Sequence, residues 1–127
     1  MVIQGSREWQ DYQVSAAFTP HLARSFALGA RVQGLKRYYA LQLTAQGKVR
    51  LVRELDGSTI LAQSSWPWEL YRTYSLCLAV KGTRMIARVD GQTVFDLEDT
   101  SLLTGGAIAL LVEEGRIGCD QVTVKPV

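Results

Sequence analysis

Six basic residues fall between Arg31 and Leu55, in the stretch RVQGLKRYYALQLTAQGKVRLVREL, with no acidic residue before Glu54. Planar guanidinium groups pair in a bidentate way with carboxylates and phosphates. An aromatic ring set among them can stack on a sugar while amides and guanidines bond its hydroxyls. Arg31, Tyr38, Gln42 and Arg50 are residues of these types. The bias extends beyond the stretch. From Tyr12 to Arg53 there are seven Lys or Arg and no Asp or Glu, and from Glu54 to Val127 there are ten Asp or Glu and six Lys or Arg. The net charge of +2 hides this segregation, which can place a positive field on one surface.

These side chains act together only if the chain brings them together, and the elements follow from a period of two. FALGARVQ sets Leu28, Ala30 and Val32 against Gly29, Arg31 and Gln33. RYYALQLT sets Tyr39, Leu41 and Leu43 against Tyr38, Ala40 and Gln42. KVRLVREL sets Val49 and Leu51 against Arg50 and Val52. YQVSAAF, YSLCLAV, RMIARV and AIALLV alternate in the same way, the signature of half-buried strands. Turn signals recur about every ten residues: Ala45-Gln-Gly47, Asp56-Gly57, Lys81-Gly82, Asp90-Gly91, Gly105-Gly106 and Glu114-Gly115. The segments PHLARS, WPWELY and LEDTSLL have room for a single helical turn each, and no longer helical pattern is present. About ten short strands predict an all-β fold of two antiparallel sheets packed face to face. Leu28, Val32, Leu41, Leu43, Leu51, Leu76, Leu78, Val80, Ile108 and Leu110 are expected between the sheets. Arg31, Tyr38, Gln42 and Arg50 have the opposite parity and are expected on one polar face.

At 127 residues, 47% apolar and 20% charged, the chain is read as one globular domain, residues 1–127, cut from a larger protein. No apolar run has the length of a transmembrane helix, and no membrane partner is expected. The start lacks the order of a signal peptide, which points to the cytoplasm. Cys77 and Cys119 lie in apolar runs and read as buried free thiols. The basic stretch lacks the interleaved aromatics of a nucleic-acid stacking platform, so nucleic acid is disfavoured. Trp66 and Trp68 flank Pro67 in a loop, where an indole is either a sugar platform or a plug over the core edge. Trp9 reads as core, and His21, the single histidine, has no sequence partner for a metal site or a triad.

WQDYQVSAAF, LGARVQGLKRYYALQL, VKGTRMIARVDG and the closing CDQVTV resemble successive strands of a laminin G-like, concanavalin A-like jelly roll. The wording RVQGL-x-RYYAL is similar to C-terminal domains of bacterial ADP-ribosylglycohydrolase-family proteins. The catalytic residues of those hydrolases belong to a separate helical domain and match nothing here. The resemblance implies a ligand surface on the concave sheet. It also places Asp11 and Asp120 near adjacent strands where some relatives hold calcium, though no Asp-rich loop supplies the oxygens calcium needs. No cofactor is expected. Jelly-roll glycosidases carry paired carboxylates on one strand. Here Glu113 and Glu114 are consecutive and point to opposite faces, and Glu98-Asp99 have the same defect. The expected function is a non-catalytic module for a carbohydrate or an ADP-ribose-type ligand, bound through Arg31, Tyr38, Gln42, Arg50 and Trp68 and attached to the catalytic domain of a parent hydrolase. An anionic sugar derivative is expected to be preferred, unless Glu113 pairs with the arginines. The alternative is a structural domain that packs on its parent enzyme. The isolated chain should show no turnover of ADP-ribosylated protein or simple glycans. Turnover that disappears with Glu113→Gln would contradict this.

Overall fold

The structure, a computed structural model, describes residues 2–4, 10–20, 25–34, 36–69, 71–99, 106–113 and 117–126, with side chains at all of these except 2–4, 20, 107, 109–113 and 117–121. Eleven strands run in the order β1 (Val2–Gln4), β2 (Tyr12–Pro20), β3 (Ser25–Gly34), β4 (Arg37–Leu43), β5 (Lys48–Leu55), β6 (Ser58–Ser65), β7 (Tyr74–Lys81), β8 (Arg84–Val89), β9 (Gln92–Glu98), β10 (Ala107–Glu113) and β11 (Ile117–Pro126). They form a six-stranded sheet, β1-β10-β3-β4-β5-β6, and a five-stranded sheet, β11-β2-β7-β8-β9. Every pairing is antiparallel. The fold is a jelly-roll β-sandwich, and no helix occurs among the described residues. WPWELY holds no helical turn at residues 66–69, contrary to the room its sequence offers. Pro67 lies in an irregular segment whose Trp66 N–H donates to Gly47 O, 2.8 Å.

The core follows the parity of the strands. Leu28, Leu41, Leu43, Leu51, Leu76, Leu78 and Val80 are fully buried, and Val32 and Ile108 nearly so. The side chain of Leu110 lies outside the described residues. Tyr39, Tyr74, Phe18 and Phe26 complete the interior, with Phe26 5.5 Å from Phe18 and 6.4 Å from Tyr74 between ring centroids. Cys77 is a free thiol, but it is only half-buried, on the outer face of β7.

The ladders shift register at several points, and the shift in β3 matters most for the site. In β3, Ala30 pairs with Tyr39 and Gly34 with Arg37, so three residues of β3 oppose the single Tyr38. This is a bulge, and Arg31 sits in it at φ 50°, in the left-handed region. Two bonds and one close backbone approach hold it there. The Arg31 N–H donates to Tyr12 Oη (2.6 Å), and that hydroxyl donates to Gly106 O (2.9 Å). The third element is Gly106 itself, at φ 148°, where a Cβ would stand 2.5 Å from the Arg31 carbonyl carbon and 2.7 Å from Val32 N. Only glycine lets the start of β10 approach the bulge so closely.

Three of the four sheet edges are short or charged. β1 has three residues. β9 carries Asp96 and Glu98, with Arg84 Nη2 donating to Asp96 Oδ2 at 2.8 Å from the neighbouring strand. β11 carries Lys125 and Pro126 and a register shift. β6, STILAQSS, has no charge and no proline in eight residues.

Tyr12→Phe leaves the Arg31 N–H and the Gly106 carbonyl unsatisfied and should cost about 1–3 kcal/mol in chemical denaturation. Burial pushes the Tyr12 phenol up from 10 to about 12. A raised phenol pKa means that the folded state resists ionisation. Stability from this group is complete below pH 10 and is lost as pH rises towards 12. The alkaline loss should be shallower in Tyr12→Phe. Gly106→Ala meets backbone on two sides and should lose more than about 3 kcal/mol.

Candidate functional site

The outer face of the six-stranded sheet is built from cross-strand rows. Gln42 pairs with Arg50 and Arg50 with Gln63. Tyr38 pairs with Glu54 and Glu54 with Ser58. Between these polar rows runs an apolar one, in which Gly29 pairs with Ala40, Ala40 with Val52, and Val52 with Ile60. Directly paired antiparallel residues project to the same face, and neighbouring rows lie about 7 Å apart along the strands. Ala40 is 4% exposed and Ile60 48%. The face is therefore a shallow trough running across the strands. Its floor is smallest at Gly29 and Ala40 and rises to Ile60 at the open β6 edge. Gln42, Arg50 and Gln63 form one wall, and Tyr38, Glu54 and Ser58 the other.

The walls keep polar atoms that no described residue uses. Arg50 donates through Nε to Gln63 Oε1 (3.1 Å), and its two terminal amino groups have no partner among the described residues. Glu54 accepts from the Ser58 hydroxyl through Oε2, which leaves Oε1 open. The Tyr38 hydroxyl and the Gln42 amide have no hydrogen bond among the described residues. Tyr38, Gln42, Arg50 and Glu54 are all half-buried. Burial pushes the Tyr38 phenol up, and the neighbouring Glu54 charge pushes it further in the same direction. Partly desolvated donors and acceptors without partners are suited to a polar ligand.

Arg31 does not belong to this face, and the parity expectation is corrected here. The bulge turns its side chain away from the trough, and the residue is 3% exposed. Nη1 donates to Gly82 O (2.7 Å) and Nε to Gln10 O (3.2 Å), while Nη2 lies 3.5 Å from Asp11 Oδ1. Burial lowers its pKa, against the opposing pull of Tyr39, Asp11 and Tyr12. Arg31 is thus a strut beneath β7–β8. Tyr38, Gln42 and Arg50 are brought together as expected.

Trp68 does not join them either. Its indole N–H donates to Thr44 O (2.6 Å), and its ring meets the edge of Phe26 at 5.2 Å and 85°. It closes the core beside the β4–β5 turn. Asp11 accepts from the Gly82 N–H (2.9 Å) and faces Arg31, so its described partners are donors, not other oxygen ligands. No group of three metal-binding side chains forms among the described residues. The side chains of Asp120, Glu113 and Cys119 lie outside the described residues, as do Trp9 and His21. The expected pairing of Glu113 with the arginines falls there too, though the Glu113 backbone pairs with Ser25. Beside Asp11 a hollow of about 230 Å³ is lined by Gln10, Asp11, Tyr12, Val124 and Pro126. It is chiefly apolar.

Sequence reasoning missed Glu54, Ser58, Ile60 and Gln63. Glu54 shares the parity of Arg50 and was available from it. The other three lie on β6, whose serines, threonine and glutamine blur the alternation.

The sequence matches no protein-family model, and no curated protein matches it. Solved structures share the fold. The carbohydrate-binding module CBM66 from Bacillus subtilis aligns at a TM-score of 0.83 and 22% identity, over 91% of this chain and 75% of that one. Galectin LEC-6 of Caenorhabditis elegans aligns at 0.73 and 13% identity, over 98% of this chain and 89% of the galectin. The GH43 protein BlXynB from Bacillus licheniformis aligns at 0.73 and 12% identity, where this chain spans 28% of that enzyme. At these identities the likeness establishes the jelly-roll architecture.

The two groups of residues should separate in mutagenesis. Trp68→Ala and Arg31→Ala should each destabilise the domain by about 2–4 kcal/mol, through a lost core ring and through the space and hydrogen bonds given up by a buried guanidinium. Gln42→Ala and Tyr38→Phe should stay within about 0.5 kcal/mol of wild type, because they break no described hydrogen bond. Thermal denaturation of the four variants checks this.

Proposed function

We propose that this chain is a non-catalytic carbohydrate-binding module and that its ligand lies in the trough of the six-stranded sheet. One observation carries the reading: half-buried Tyr38, Gln42, Arg50 and Glu54 converge around an apolar floor, with polar atoms that have no partner among the described residues. A sugar has the matching character, with apolar C–H faces over a floor such as Ala40 and Val52 and hydroxyls reaching the walls. The likeness to a carbohydrate-binding module and to galectins supports it. Attachment to a parent hydrolase is part of the proposal. It is supported by the GH43 protein, in which a domain of this fold forms a minor part of the chain, and by the resemblance to ADP-ribosylglycohydrolase-family C-terminal domains.

The ADP-ribose-type alternative has less support. Arg31, one of the two arginines expected on the polar face, is buried on Gly82, Gln10 and Asp11.

Calorimetric titration against a panel of oligosaccharides tests the proposal. Wild type should bind at least one series. Arg50→Ala and Gln42→Ala should each weaken that binding by about tenfold or more while keeping the wild-type melting temperature. A panel without a binder at millimolar concentration would leave the packing-domain alternative in its place.

A further inference from the structure

The trough also selects among sugars, an inference that rests on reading it as a sugar site. An anionic group offers only acceptors, so a site built for it presents donors and positive charge. A hydroxyl donates and accepts, so a site for hydroxyls must present both. The trough does the latter. Its open donors are the terminal amino groups of Arg50, the amide nitrogen of Gln42 and the Tyr38 hydroxyl. Its open acceptors are Glu54 Oε1 and the Gln42 amide oxygen.

Its charges also oppose each other. Arg50 and Glu54 stand on the same face of β5, four residues or about 13 Å apart, one on each wall. Lys48, the next charge on this face of β5, is exposed at the strand's end and is screened by solvent. Glu54 is half-buried, and Tyr38, its neighbour on the same wall, responds to its charge. Arg31, which parity alone would add to the positive side, is committed elsewhere. A uronic acid or phosphorylated sugar seated between the walls would meet Glu54 on one side, which offsets the pull of Arg50 on the other.

We propose that the trough takes an uncharged oligosaccharide laid across β3–β6, and that Glu54 is its specificity-determining residue, accepting from a sugar hydroxyl and turning anionic sugars away. The floor from Gly29 to Ile60 crosses three inter-strand gaps, about 14 Å, long enough for a short run of rings. The run is open at β6, so a ligand can extend past Ile60.

The test uses matched ligands: galacto-oligosaccharides against oligogalacturonates, and manno-oligosaccharides against oligomannuronates, with fructo-oligosaccharides as a further neutral series. Wild type should bind a neutral series and take the matched uronate at least about tenfold more weakly. Glu54→Gln should shift the uronate-to-neutral affinity ratio by about tenfold towards the uronate, and raised salt should diminish that shift. Glu54→Ala, checked for a wild-type melting temperature, should shift the ratio in the same direction, and Glu54→Asp should leave it in place. Equal wild-type binding of a uronate and its neutral partner, or a ratio indifferent to both charge-removing variants, overturns this inference and leaves the sugar site standing. Failure of wild type to bind any sugar at millimolar concentration overturns both.

Discussion

The hydroxyl of Tyr12 ties the five-stranded sheet to two points of the six-stranded one. Tyr12 opens β2 in the five-stranded sheet, and its phenol accepts from the Arg31 N–H in β3 and donates to the carbonyl of Gly106, just before β10. Much of the site's character descends from this contact. It satisfies a backbone donor that the bulge would otherwise leave buried and unpaired, a cost comparable to a lost hydrogen bond. With that donor satisfied, Arg31 can remain at φ 50°. Its guanidinium then reaches Gly82, and Tyr38 on β4 is left opposite the bulge instead of a regularly paired residue. A trough with one guanidinium in place of two is the product of a tyrosine on the opposite sheet.

Parity along the chain gave the sheet faces wherever two neighbouring strands stay in register. Leu41, Leu43 and Leu51 are buried and Gln42 and Arg50 stand together because β4 and β5 pair without interruption from Arg37 to Leu43. Arg31 departs from that rule, because a left-handed residue in a bulge is re-aimed from the face its parity assigns. Nothing local to RVQG marks that residue, since the left-handed conformation is usually taken by glycine or asparagine, not arginine. The partner that demands it, Gly106, is far away in sequence and reads there as one half of an ordinary Gly-Gly turn. Trp68 illustrates a different limit. A loop indole is open to both readings, platform and plug, until its N–H is seen to end on Thr44 O and its ring on Phe26.

A site carried on strand interiors differs from one carried on loops. Gln42, Arg50 and Glu54 project from backbone that is paired on both sides, and Tyr38 from backbone paired with β5, so their spacing is fixed by the ladder before a ligand arrives. Little backbone freedom remains to be lost on binding, and the ordering cost is confined to side chains. Arg50 is restrained further by its bond to Gln63, and Glu54 by Ser58. Those two bonds come from the strand least visible in the sequence.

That strand has a further consequence, for the behaviour of the protein in bulk. An outermost strand free of charge presents unsatisfied amides and carbonyls with no electrostatic barrier to a newcomer, whereas β9 and β11 each carry charges at theirs. Its extra residue Leu61, between the partners of Leu51 and Val52, kinks the ladder and is the principal obstacle to a long continuous contact. Colloidal stability at this edge therefore rests on shape. Changing ionic strength would do little to it, and filling in the kink by deleting one residue would favour stacking edge to edge.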